Sequence, residues 1–218
     1  SHANDNVGSS AFGAGVTVLG NGNFVVSSRL WDLDATHTNV GAVTFGNGRT
    51  GVSGEVSSAN SLVGSTPGDH VGGSGLKALT NGNYVLTTQG WDNGATSNAG
   101  ATTWANGTTG LTGTVSASNS LVGSTMNDQV GSNGVVALTN GNYVVASPSW
   151  DDGGHTNVGA VTWGNGATGT SGTLSDANSV VGTHANDRVG AAIEILTNHH
   201  YVILSKDWDN DAISDAGA

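Results

Sequence analysis

A Trp-Asp pair recurs along the chain at nearly constant spacing. Trp31, Trp91, Trp150 and Trp208 each precede an aspartate (Asp32, Asp92, Asp151 and Asp209), at intervals of 60, 59 and 58 residues. An aromatic stands seven residues before each Trp, at Phe24, Tyr84, Tyr143 and Tyr201. Asp5, Asp69, Asp128 and Asp187 open the units, each with a Val-Gly two residues on. A fixed period commits a chain to an array of equivalent supersecondary units, because no single unit can bury its apolar face alone. The units run 1–64, 65–123, 124–182 and 183–218, the last incomplete, so the 218 residues read as one repeat array. That reading replaces the one or two ordinary domains that length alone would suggest.

Within each unit the pattern is β. No apolar spacing of helical period is sustained; short runs rich in β-branched and aromatic residues are bounded by Gly and Asn instead. In unit three the first strand is expected from Val135 to Leu138 and the second from Tyr143 to Ser147, joined at Asn140-Gly141. Asn-Gly predicts a type I′ hairpin turn, whose two central residues both need positive φ. A loop from Trp150 to Asn157 leads to a third strand from Ala160 to Trp163, and a fourth is expected from about Gly172 to Ser175. Unit one carries about four extra residues between Val7 and Asn21, and unit four ends before its third strand. Fourteen strands follow, in an all-β chain of about three and a half repeats of ~59 residues. Four antiparallel strands per unit predict a β-propeller-like array of blades. The alternative is a β-solenoid, which needs parallel coils, usually shorter than this repeat.

Composition excludes several functions. Five basic residues against sixteen acidic ones give a net charge of −11. Phosphate contact needs clustered Lys or Arg, so nucleic acid is not an expected partner. No apolar run approaches 18 residues, and membrane insertion is not expected. Cysteine is absent, which removes disulfides and thiol chemistry. With 36 glycines, abundant Thr, Ser and Asn, and little Lys, the composition points to a secreted or cell-surface bacterial protein. His2-Ala3-Asn4-Asp5 matches His184-Ala185-Asn186-Asp187 and reads as part of the repeat.

The segment from Asn140 to Gly166 resembles the FG-GAP repeat of integrin-α-type β-propellers. Ala146-Ser147-Pro148 stands where that family has Gly-Ala-Pro, and Gly159-Ala160-Val161 matches its next strand. Gly41-Ala42-Val43 and Gly100-Ala101-Thr102 keep the pattern in earlier units. The chain is also similar to repeats of giant haemagglutinin-like bacterial surface proteins. The resemblance implies a propeller fold and an extracellular structural or adhesive role. The family often places an acidic calcium loop at its first turn. Here that turn reads Asn21-Gly22-Asn23, Asn81-Gly82-Asn83 and Asn140-Gly141-Asn142, without a carboxylate for calcium to use.

In a blade array the loops after each second strand share one face with the unit connections. Trp31, Asp32, Trp91, Asp92, Trp150, Asp151, His155, Asn157 and Trp208 are therefore candidate ligand-binding residues. Aromatic faces with fixed polar groups suit a carbohydrate, which makes a lectin-like module the alternative function. A Trp at every repeat equally suits packing between blades, and Asp or Asn in turns commonly bonds nearby backbone. Asp207, Asp209, Asp211 and Asp215 have the spacing of a calcium loop, the one candidate cofactor, although Ala212 replaces its glycine. No nucleophile, acid/base pair or phosphate loop is present, so no catalytic residue is expected. The expected function is a non-enzymatic structural or adhesive module. Its expected partners are itself, as homo-oligomer or filament, or surface glycans and proteins.

Overall fold

The computed structural model describes residues 5–10 and 13–218; His2 lies outside them. Unit one contains β1 (Ser9–Ser10), β2 (Gly13–Ala14), β3 (Val16–Val18), β4 (Phe24–Ser28), β5 (Ala42–Gly46) and β6 (Ser61–Val63). Unit two contains β7 (Gly75–Ala78), β8 (Tyr84–Thr88), β9 (Ala101–Ala105), β10 (Gly113–Thr114) and β11 (Ser120–Val122). Unit three contains β12 (Val135–Ala137), β13 (Tyr143–Ser147), β14 (Ala160–Gly164), β15 (Gly172–Thr173) and β16 (Val180–Val181). Unit four supplies β17 (Ala192–Ile195) and β18 (Tyr201–Leu204). Among the described residues there is no helix, and none long and apolar enough to cross a membrane.

Each unit is a blade-like antiparallel meander. The orders β3-β4-β5-β6, β7-β8-β9-β11 and β12-β13-β14-β16 repeat one plan, and β17-β18 is its first half. These make fourteen meander strands, the expected number; β1 and β2 pair in the extra residues of unit one. The fourth strand is displaced from its expected place. Val180–Val181 pairs with β14, whereas Gly172–Thr173 crosses to unit two and runs parallel to β11. Gly113–Thr114 likewise runs parallel to β6 of unit one. Both candidate runs are short and β-prone. The choice between them follows from a part-buried hydroxyl pair, Thr162 Oγ1 to Ser179 Oγ at 2.7 Å, and from Leu174, which the crossing buries between units. Thr44–Ser61 and Thr103–Ser120 repeat the hydroxyl pair at 2.7 Å.

The cores lie between neighbouring sheets. On β8, Tyr84 and Leu86 join Val25, Val43 and Leu62 of unit one, while Val85, on the opposite face, joins Tyr143 and Val145 of unit three. On β13, Val144 faces Tyr201 and Ile203 of unit four. Period-two alternation thus sends each strand's side chains into two different cores. β8 and β13 are buried at every position; β18, in the last unit, alternates half-buried and exposed.

The first hairpin is wider than a type I′ turn. Gly82 N–H donates to Leu79 O at 3.1 Å, and Leu79 N–H to Asn83 O at 2.8 Å. Only the glycine takes positive φ, 85°, 88° and 90° in the first three units, while Asn21, Asn81 and Asn140 do not. That is a three-residue loop ending in a left-handed glycine. The released Asn side chains tie units together: Asn21 and Asn23 donate to Gly107 O at 2.7 and 2.8 Å, and Asn81 and Asn83 to Gly166 O at the same distances.

A second glycine series sets the approach of units at the opposite end. Gly41, Gly100 and Gly159 have φ of 75°, 74° and 75°. A Cβ on Gly100 would lie 2.3 Å from the amide nitrogen of Val130 in the next unit. Gly100→Ala is therefore expected to destabilise by about 3 kcal/mol or more, combining a left-handed non-glycine with a forced shift of backbone. Urea denaturation checks this, with Gly94→Ala (φ 63°, nothing within 4 Å) as the control that isolates the conformational cost.

Candidate functional site

The Trp-Asp loops and the unit connections meet at one end of each sheet. The opening aspartate of a unit is the hub. Asp69 Oδ2 accepts the Ser65 and Thr66 N–H groups, both at 2.8 Å, and its Oδ1 accepts the Asp92 N–H at 3.0 Å. Asp128 does the same with Ser124, Thr125 and Asp151, and Asp187 with Thr183, His184 and Asp209. Asp5 accepts the Asp32 N–H. The second carboxylate of each pair closes its own loop: Asp32, Asp92, Asp151 and Asp209 accept the N–H groups of Asn39, Asn98, Asn157 and Asp215. Those four acceptor-bound residues have φ of 54°, 51°, 52° and 51°, left-handed values that Asn and Asp tolerate best. The carboxylates thus do the work of backbone partners in loops that a strand ladder cannot satisfy.

The indoles are interior. Trp31, Trp91 and Trp150 are 4%, 3% and 4% exposed, and Trp208 packs half-buried against the Val144 cluster. These rings cannot form the exposed aromatic rim that a carbohydrate platform requires, because strands of the same and the neighbouring unit close over them. The indole N–H groups of Trp91 and Trp150 have no protein acceptor. His155 remains exposed and Asn157 half-exposed, on the surface of this loop. The exposed indole is instead Trp163, at 46%. Its counterparts Phe45 and Trp104 lie under Gly110 and Gly169 of the following units.

The four carboxylates of the last loop do not converge. Asp215 stands at the repeat position of Asn98 and Asn157, and Asp211 at that of Gly94 and Gly153, both left-handed. Asp207 pairs with Lys206, and Asp209 is bonded to the Asp215 N–H. Among the described residues no group of three or more His, Asp or Glu is arranged to hold a metal ion.

Enclosure decides the protonation tendency of the hubs. Burial pushes the Asp69 and Asp128 carboxyls up, against three backbone N–H groups each, with the neighbouring Asp92 or Asp151 charge adding to the rise. For Asp187 burial again pushes up. Near the end of the stack, however, the N–H groups of His184, Thr183 and Asp209, with the His184 charge, outweigh it, and the net shift is down.

Two outcomes follow. Asp128→Ala leaves three inward N–H donors without their acceptor and should cost about 3 kcal/mol or more, read as a fall in denaturation midpoint. The pH dependence has opposite signs along the stack. The stability linked to Asp69 and Asp128 is fully present below the ordinary carboxyl value of 3.8 and is lost as pH rises through their higher folded values. That linked to Asp187 is present above 3.8 and is lost as pH falls through its lower folded value. Between about pH 4 and 2, hydrogen-exchange protection of β18 should therefore fall relative to that of β8, once intrinsic rates are corrected.

A comparison with curated proteins found no match. A family model described as a repeat of unknown function (DUF5650) matches residues 18–73, 78–132, 137–191 and 195–218, four tandem copies covering most of the chain. The chain belongs to this repeat family.

Proposed function

We propose that the chain is a non-enzymatic structural repeat module of a secreted or cell-surface protein, a spacer or adhesive stalk assembled from stacked sheets. The observation that carries this reading is where the shared residues go. The Trp31, Trp91 and Trp150 rings lie in the core, the paired aspartates hold loop backbone, and the turn asparagines bond the next unit. Residues common to all units thus serve the array. An extracellular setting is supported by the Gly-, Thr-, Ser- and Asn-rich, Lys-poor composition and by the resemblance of Asn140–Gly166 to FG-GAP repeats of surface proteins. On this reading the module needs no cofactor, and the Asp207–Asp215 loop holds no calcium.

A lectin-like role is the second reading, and Trp163 is the observation that favours it, as an exposed indole of the kind that stacks on sugars. Glycan-array screening separates the two. The spacer reading expects no specific glycan and a melting temperature unchanged by millimolar calcium. A glycan bound by the native chain and lost on Trp163→Ala, with folding intact by circular dichroism, would establish the lectin instead. A calcium-dependent rise in melting temperature, abolished by Asp209→Asn, would restore the metal loop.

A further inference from the structure

The sequence holds eight Asn-Gly dipeptides, the pair most prone to lose ammonia within a peptide chain. In that reaction the backbone nitrogen of the glycine attacks the side-chain carbonyl carbon of the asparagine. Glycine favours the approach because it has no Cβ to crowd the nitrogen. The nitrogen must first give up its proton. An N–H already held in a hydrogen bond resists that step, and such a site reacts only when the local structure opens.

The fold holds seven of the eight glycine nitrogens. In the first hairpins the Gly22, Gly82 and Gly141 N–H groups donate to the Leu19, Leu79 and Leu138 carbonyls at 3.0, 3.1 and 3.1 Å. In the turns after β5, β9 and β14, the Gly48, Gly107 and Gly166 N–H groups donate to Oδ1 of Asn23, Asn83 and Asn142 at 3.0, 2.9 and 3.0 Å. The Gly134 N–H donates to the Gly131 carbonyl at 2.8 Å. The eighth pair, Asn93-Gly94, lies in the Trp-Asp loop of unit two. Asn93 and Thr96 exchange backbone hydrogen bonds at 2.9 and 3.1 Å, which closes a two-residue loop of Gly94 and Ala95. The N–H of the first loop residue falls outside such a pair. Among the described residues no group accepts the Gly94 N–H. Gly94 is exposed, and a Cβ built on it would meet nothing within 4 Å, so water and base reach the nitrogen freely.

We propose that Asn93-Gly94 is a deamidation site, the Asn-Gly pair that reacts first in the folded chain. The deprotonated Gly94 nitrogen attacks Cγ of Asn93. A bond forms from that nitrogen to Cγ, the Cγ–Nδ2 bond breaks, and Nδ2 leaves as ammonia with the proton that the Gly94 nitrogen gave up. Water then opens the succinimide ring at either carbonyl, giving aspartate or isoaspartate; nothing is oxidised or reduced. The Asn93 amide donates to the Gly123 carbonyl at 3.0 Å, but Asn21, Asn81 and Asn133 are tied to carbonyls in the same way. The free glycine nitrogen is what sets Asn93 apart. Deamidation removes the tie to Gly123 and places a second carboxylate beside Asp92. The aspartyl product fits the fold, because Asp152 holds this position in unit three. The isoaspartyl product routes the backbone through the former side chain and breaks the pairing of Asn93 with Thr96.

Peptide mapping by mass spectrometry tests this on the 218-residue chain incubated at mildly alkaline pH, folded and in concentrated urea. In urea all eight pairs should deamidate at similar rates. In the folded chain Asn93 should keep nearly its urea rate, while the other seven slow by about tenfold or more, since they wait for local opening. Asn93 should yield two products of equal mass that separate by chromatography, aspartyl and isoaspartyl. Gly94→Ala puts a methyl beside the attacking nitrogen without meeting a neighbour, and should slow the loss at Asn93 by about tenfold while the other seven keep their folded-state rates. Another Asn-Gly pair reacting faster than Asn93 in the folded chain overturns the proposal. So does an Asn93 slowed by folding as much as the other seven, or an Asn93 that loses ammonia equally fast in Gly94→Ala.

Discussion

The whole structure depends on a sheet that has no solvent face. In an ordinary antiparallel sheet one side is polar, and alternation separates a wet face from a dry one. Here β8 and β13 are dry on both sides, and a blade with two apolar faces has no stable existence without a neighbour on each. Fully burying one aliphatic or aromatic side chain contributes about 1.5–3 kcal/mol, and each internal junction collects several from both units. Stability therefore resides between units more than within them, as in other quasi-one-dimensional arrays.

That constraint explains why so much of the recurring chemistry is structural. Sheets pressed together from both sides leave the loops at their ends enclosed, and enclosed backbone groups need partners. The opening aspartates and the loop aspartates supply acceptors at one end. The asparagine amides supply donors at the other. The parallel crossings of β10 and β15 then clip each outer strand to the preceding unit. A residue type repeated at every unit is thus accounted for by what every unit needs, namely a neighbour in register. Departures from the repeat fall in the outer units: His199 stands in place of the turn glycine in the last, and the β1–β2 pair is added in the first.

Much of the fold was legible in the residues. The Trp-Asp spacing gave four repeats, the number that the family model matches; the β-branched runs of unit three located its first three strands to within a residue, and the Asn-Gly dipeptides marked the first hairpins. The failures are informative. Gly172–Ser175 and Ser179–Val181 are both plausible strands locally, and only the Thr162–Ser179 hydroxyl pair and the burial of Leu174 assign one to each neighbour. Asn-Gly supports two loop lengths, and the structure takes the three-residue loop in place of type I′, with the Asn amide reaching the next unit. The acidic run from Asp207 to Asp215 has the spacing of a calcium loop, yet Asp211 and Asp215 occupy left-handed positions that Gly and Asn hold elsewhere.

The candidate site shows the division most clearly. By itself the sequence determined that Trp, Asp and Asn would gather at one end of each sheet, because period and alternation are local properties of a chain. Which way the indoles point was decided by tertiary structure, since a Trp beside a loop can face solvent or a neighbouring sheet with equal local strain. The presence of a second apolar face a blade's width away settles it: the ring gains more by leaving water there than by remaining at a rim. The sequence thus carries the repeat, the strands and the membership of each loop, while burial, register between units and the identity of the strand that crosses over exist only once the sheets are stacked.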